Sequence, residues 1–177
     1  LPLFTPRNQI LLSNPVNNNN DNPRIFLKSI LKPLKGLEAV FEYTFDKNIY
    51  DYHWYTGQYD YTTIQGGSSK SFVDDYLRKY KQHTNYNAIN VYATYSKKFG
   101  DHNFKVMAGF NQESSYQETL DAYSYNQAVI DVPAMGSGTG TIKATDSYSE
   151  YAVRGGFFRV NYNYQDKYLL EVNGRYD

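Results

Sequence analysis

Glu38, Glu42 and Asp46 are the residues whose spacing first suggests chemistry, since carboxylates recur there at four-residue steps in an alternating run. On a β-strand that step places neighbours about 13 Å apart. Retaining glycosidases need their two carboxyls about 5 Å apart and inverting ones about 6.5–9.5 Å, so neither pairing is available. These carboxylates read instead as groups facing water. His53, His83 and His102 are scattered over loops and turns without a second ligand at metal-binding spacing, and no metal is expected. Gly136–Ser137–Gly138–Thr139–Gly140–Thr141 looks like a phosphate loop but lacks the Lys-Ser/Thr ending and a following helix, so it reads as a flexible loop. Arg154–Gly155–Gly156 is an isolated RNA-binding-like fragment inside a strand and reads as a bulge.

One group remains. Tyr50, Tyr52, Trp54, Tyr55, Tyr59 and Tyr61 crowd a single polar stretch. Flat rings beside polar groups suit sugar rings or a partner surface, whereas the same rings in an interfacial girdle would bind nothing. Tyr52, Trp54, Tyr55, Tyr59 and Tyr61 are therefore the candidate substrate or partner contacts. No catalytic residue, cofactor site or metal site is assigned, and the chain is not read as an enzyme.

The elements that must position these rings are strands. Across Ser147–Asp177, Phe158, Val160, Tyr162 and Tyr164 share one face, opposed by Arg159, Asn161 and Asn163. After a polar turn at Gln165–Asp166–Lys167, Tyr168, Leu170, Val172, Gly174 and Tyr176 again oppose Leu169, Glu171, Asn173 and Arg175. A period of two with one apolar face marks an antiparallel hairpin. An apolar face with aromatic ends, backed by a hydrophilic one, is what a transmembrane β-barrel requires.

Composition agrees with that reading. The 177 residues carry 18 basic and 18 acidic side chains, so no nucleic-acid partner is expected. Tyrosine is used 20 times and phenylalanine 10 times against a single tryptophan, a bias towards surfaces that are half apolar and half wet. There is no cysteine, hence no disulfide framework. Mean hydropathy is −0.68, and no run approaches the roughly 18 apolar residues of a spanning helix. Low hydropathy is compatible with a membrane barrel, because half of each strand faces water. The start LPLFTPRNQ shows no initiator Met and no signal peptide, which implies a mature or truncated start.

In chain order, residues 1–23 have the Asn and Pro content of a loop, and residues 24–177 divide into about six long strands. Arg24–Lys32 is the first and Leu37 to about Tyr55 the second. Residues 52–71 read as a long loop. Residues 72–99 read either as one very long strand or, split near His83–Asn85, as two ordinary ones. Asn103 to about Tyr116 follows a tight turn at Gly100–Asp101–His102, and a second long loop covers about 124–145. Connections then alternate short, long, short, long, short. That alternation favours the single long strand and matches the short periplasmic turns and long extracellular loops of outer-membrane barrels.

Three phrases carry a resemblance: KPLKGLEAVFEYTFDKN (32–48), YATYSKKFGDHNFKVMAGFNQE (92–113) and ATDSYSEYAVRGGFFRVNYNYQDKYLLEVNGRYD (144–177). They resemble the central barrel of SusC/RagA-type TonB-dependent outer-membrane transporters of Bacteroidetes. The resemblance implies an all-β, antiparallel up-and-down meander within a barrel of about 22 strands. It also implies import of glycan oligosaccharides or peptides under a SusD-like surface lipoprotein, driven by TonB through a plug domain. The expected location is the outer membrane, with lipid against the barrel and no nucleic acid. No plug, TonB-contacting segment or terminal aromatic strand is present in these residues, so the stretch reads as an internal piece of such a transporter. Alone in water, an open sheet with an apolar face would self-associate or require detergent. The competing reading is a soluble β-sandwich that binds carbohydrate through the Tyr/Trp-rich stretch.

Overall fold

A computed structural model describes residues 16–57, 60–62, 65–70 and 75–177, with backbone alone at 61–62 and 68–70. Nine strands run through them: β1 (Val16–Asp21), β2 (Arg24–Leu34), β3 (Leu37–Thr56), β4 (Asp60–Thr62), β5 (Ser68–Lys70), β6 (Tyr76–Phe99), β7 (His102–Tyr125), β8 (Ile142–Tyr164) and β9 (Tyr168–Tyr176). One sheet joins them in the order β1–β3–β6–β7–β8–β9, with β2 also on β3, while β4 and β5 form a separate hairpin. The six long strands are consecutive and antiparallel, an up-and-down meander. Residues 76–99 are one unbroken strand of 24 residues, four times the usual length.

The chain divides into two compact units. The first comprises 22–48, 84–117 and 149–177 and holds the three short turns. Its hairpins largely separate their faces, with Phe26, Ile30, Val40 and Leu169 as the apolar exceptions on the polar side. In β8–β9, Phe158, Val160, Tyr162 and Tyr164 stand opposite Gly174, Val172, Leu170 and Tyr168. On the other face Arg159 donates to Asn173 at 2.8 Å and Asn161 to Glu171 at 2.7 Å. In β2–β3, Ile25, Leu27 and Leu31 oppose Phe45, Tyr43 and Ala39. The reverse face carries three ion pairs: Arg24–Asp46, Lys28–Glu42 at 2.8 Å and Lys32–Glu38 at 3.1 Å.

Turn chemistry holds these registers. Gln165 and Asp166 both adopt φ near +55°, the type I′ geometry whose twist matches a hairpin. Gly36 has φ +88°, and a β-carbon there would stand 2.3 Å from the Ser96 carbonyl oxygen, so no other residue fits. Pro33, which cannot donate to a ladder, falls where the β2–β3 register shifts between Leu31 and Leu34. On the apolar face beside the Gly100 and Gln165 turns, rings gather: Phe104 on Tyr162 and His102 on Tyr164, both with centroids 4.8 Å apart.

The described residues of the second unit lie within 16–21, 49–83 and 118–148 and include the second long connection and parts of the first. Several sequence boundaries shift here. Residues 16–21, read as loop, form β1 on the upper end of β3, pairing Val16 with Trp54 and Asp21 with Ile49. Strand β3 continues to Thr56 and β7 to Tyr125, and β8 begins at Ile142. Polar side chains on both faces erase the period of two, yet the backbone still pairs with its neighbour.

A β-sandwich would bury one face of this sheet against another. Instead, among the described residues only Val40, Tyr55, Leu77 and Ala122 form a buried apolar core, while Leu31 is 63% and Leu170 61% exposed. The apolar face is uncovered, and the sandwich alternative is set aside.

Gly109 sets up a tightness test. A β-carbon there would lie 2.5 Å from the Phe157 ring and 2.6 Å from the Tyr92 β-carbon. Gly109→Val in the intact protein is expected to cost about 1–3 kcal/mol by denaturant unfolding in detergent. Gly136→Ala, which meets nothing within 4 Å, is expected to change stability by less than about 0.5 kcal/mol.

Candidate functional site

The aromatic stretch is strand rather than loop, and alternation decides which of its rings meet. Tyr50, Tyr52 and Trp54 occupy every second position of β3. The neighbouring strand β6 brings Tyr76, Arg78 and Tyr80 against them, and β7 adds Asp121, Tyr123 and Tyr125. Trp54 and Tyr76 meet edge to face at 5.7 Å, as do Tyr50 and Tyr80 at 5.8 Å. Tyr76 also lies 5.9 Å from Tyr123 and 5.7 Å from Tyr125.

Arg78 stands at the centre. Its Nε and Nη2 donate to the two carboxylate oxygens of Asp121, each at 2.9 Å. Its guanidinium carbon lies 5.7, 5.8 and 5.3 Å from the ring centroids of Tyr52, Tyr80 and Tyr123, within cation–π range. Hydrogen bonding to Asp121 is the chief reason its pKa rises further above the usual arginine value. Burial, then the Asp121 charge, raises the Tyr123 phenol as well. Lys143 adds a second cation over the Tyr125 ring at 5.6 Å.

The five candidate contacts separate accordingly. Tyr52 and Trp54 belong to this face. Tyr55, one residue on, points to the opposite side and is only 7% exposed. Burial chiefly, helped by the Asp75 carboxylate, pushes its phenol up to about 12. Tyr61 falls in β4, where only the backbone is described, and Tyr59 lies outside the described residues. Tyr76, Arg78, Tyr80, Asp121, Tyr123 and Tyr125 were missed, although the run Tyr76-x-Arg78-x-Tyr80 and its counterpart Asp121-x-Tyr123-x-Tyr125 show the alternation.

The remaining chemistry-bearing residues are engaged structurally. Glu38, Glu42 and Asp46 each meet a base of β2, and Arg24, Lys28 and Lys32 recur at the same four-residue step, mirrored about the Lys35–Gly36 turn. His53 and His83 share the Tyr55 side of the sheet with Asp51, which lies 3.9 Å from His83 and 3.8 Å from Lys81. Burial, then Lys79, lowers the His53 pKa. His102 instead contacts Tyr162 at 2.8 Å. Among the described residues no three His, Asp or Glu side chains gather around a cation-sized space.

The glycine-rich connection, read from the sequence as a flexible loop, is tied down by hydrogen bonds. A short 3₁₀ turn at Met135–Ser137 folds it back on the strand ends. The buried Gln127 carboxamide donates to the Ser124 carbonyl and hydroxyl, both at 3.0 Å. It accepts from the Ser137 hydroxyl at 2.7 Å and the Ala134 N–H at 3.2 Å. Asp75 receives the Gln127 N–H. Gly138 and Gly140 fit because a β-carbon would lie 2.1 Å from Ser124 Oγ and 2.7 Å from Asn126 Nδ2. Gln127→Leu strands the Ser124 and Ser137 partners and is expected to cost the loop about 1–3 kcal/mol. Limited proteolysis should then cut within 128–134 faster than in the unaltered protein.

No protein-family model matches the chain. TonB-dependent receptor P3 of Formosa agariphila is 28% identical over 123 residues, covering 68% of this chain and 12% of that protein. Among solved structures, the RagAB peptide transporter superposes with a TM-score of 0.75 at 15% identity, covering 91% of this chain and 18% of that one. The RagAB importer in its closed-closed state gives 0.76 at 14% identity with the same coverage, and in its open-open state 0.75 at 16%. The chain thus spans less than a fifth of the length of these relatives. In sequence the chain is similar to part of a TonB-dependent receptor, and its fold matches part of the RagAB structures.

Proposed function

We propose that these residues form barrel wall and extracellular loops of an outer-membrane, TonB-dependent nutrient importer, and that they make and break no bonds. The observation that carries this is the uncovered apolar face of a meander whose opposite face is charged and hydrogen-bonded. With no other layer covering it among the described residues, such a sheet suits hydrocarbon on one side and water on the other. The short turns then lie on the periplasmic rim and the two long connections outside the cell. The similarity to a TonB-dependent receptor supports energy coupling by TonB through a plug domain. The likeness to RagAB, a transporter of peptides, supports a cargo of peptides, while a SusD-like lipoprotein lid and glycan oligosaccharides are what the resemblance of the three sequence phrases implies. Tyr52 and Trp54 are the wall residues proposed to contact that cargo.

Topology provides the test. An epitope inserted after Gly66, which has open space around it, is expected to bind antibody on intact cells. The same epitope after Gly100 should bind only after the outer membrane is permeabilised. Labelling of Gly100 from outside, or fractionation with the cytosol, would overturn the reading.

The apolar face supplies a second check. Val106 is exposed on it, and Val106→Arg is expected to destabilise the lipid-embedded barrel by about 2–4 kcal/mol. Lys105→Gln, on the opposite face of the same strand, should leave stability within about 0.5 kcal/mol.

A further inference from the structure

A cation ringed by aromatic faces is the arrangement with which proteins commonly capture the cation of a ligand. In this sheet the ring of Tyr52, Tyr80 and Tyr123 is filled by the protein's own Arg78. The Arg78 charge is in turn met by a two-pronged bond to Asp121. Two classes of ligand therefore gain little here. A lysine or arginine of a peptide finds the cage occupied, and an anion finds the guanidinium already neutralised. Around this balanced centre stand Trp54, Tyr76 and Tyr125, all part-exposed, together with the Gln82 carboxamide, which accepts from Tyr80 at 2.8 Å.

We infer that Arg78 is a positioning residue that, with Asp121, locks tyrosines of three strands into a charge-neutral platform for the ring faces of an uncharged oligosaccharide. A pyranose meets both requirements: its C–H faces stack on aromatic rings, and its hydroxyls reach hydrogen-bonding groups at the platform edge. The platform reads ring faces, not charge. Lys is a poor substitute for Arg78, because an ammonium can neither hold a carboxylate with two parallel bonds nor lie flat between rings. This inference rests on the importer reading and narrows its cargo.

The test uses the intact receptor with its lid in detergent, titrated calorimetrically at low and high salt. Probes are hexasaccharides of α-glucan, β-glucan, xylan and mannan, oligogalacturonate as the anion, and a tryptic digest as a source of cationic peptides. At least one neutral hexasaccharide should bind with an affinity insensitive to salt. Trp54→Ala and Arg78→Lys should each weaken it roughly tenfold or more. Asp121→Asn, which frees the guanidinium charge, should confer salt-dependent oligogalacturonate binding, a gain that misfolding cannot produce. Binding of none of the neutral probes, or neutral binding unchanged in both Trp54→Ala and Arg78→Lys, overturns the inference. So does an Asp121→Asn receptor that still ignores oligogalacturonate. If the receptor instead takes up peptides in a TonB-dependent way, the platform inference fails while the importer reading stands. A receptor absent from the outer membrane removes the importer reading itself.

Discussion

Every peptide unit in these strands brings a donor and an acceptor that must be paired wherever water is absent. In an up-and-down meander each strand satisfies its neighbours sideways, residue by residue, and side chains are released from that duty. One side can then be mainly apolar and the other mainly polar, as in β8–β9 and β2–β3. The exposed leucines, the ion pairs and the length of the strands all depend on this ladder. So does the Arg78 face, whose rings come from three strands at positions that only lateral pairing brings together.

The ladder also explains which parts of the fold were legible in the sequence. Where one face is apolar, as from Phe157 to Tyr176, alternation placed both strands and the Gln165 turn correctly. Where both faces are polar, the period vanishes. Residues 16–21 are four asparagines, a valine and an aspartate, with the composition of a loop, yet they pair with β3. The upper part of β7 and the first residues of β8 were hidden for the same reason. Recognition of the long β6 rested on the alternation of loop lengths, a signal from topology rather than from side chains.

The candidate site was half legible. Clustered aromatics pointed to Tyr52 and Trp54, but treating residues 52–61 as loop concealed the parity that sends Tyr55 to the other side. The partners on β6 and β7 lie more than 20 residues away and become neighbours only through pairing. Similarly, the fold of the glycine-rich connection depends on the Gln127 carboxamide, whose four hydrogen bonds reach residues 3–10 positions away. Polar residues in a glycine-rich run carry no signal of how many partners they will find.

The mirrored charges of β2 and β3 bear on how this hairpin assembles. Spaced every four residues, they act as a vernier between the two strands. A slip of one residue would turn each leucine of β2 towards the polar side, and a slip of two would leave the bases facing no acid. A slip of four is the dangerous error, because it preserves the faces and re-forms two of the three pairs, for instance Arg24 with Glu42 and Lys28 with Glu38. Charge alone thus leaves a near-degenerate misalignment. The Gly36 turn, closed against Ser96, and the irregularity at Pro33 break that degeneracy, since neither can be re-created four residues away. The two features divide the labour of finding the register: charges align the strands finely, and the turn chooses among the alignments.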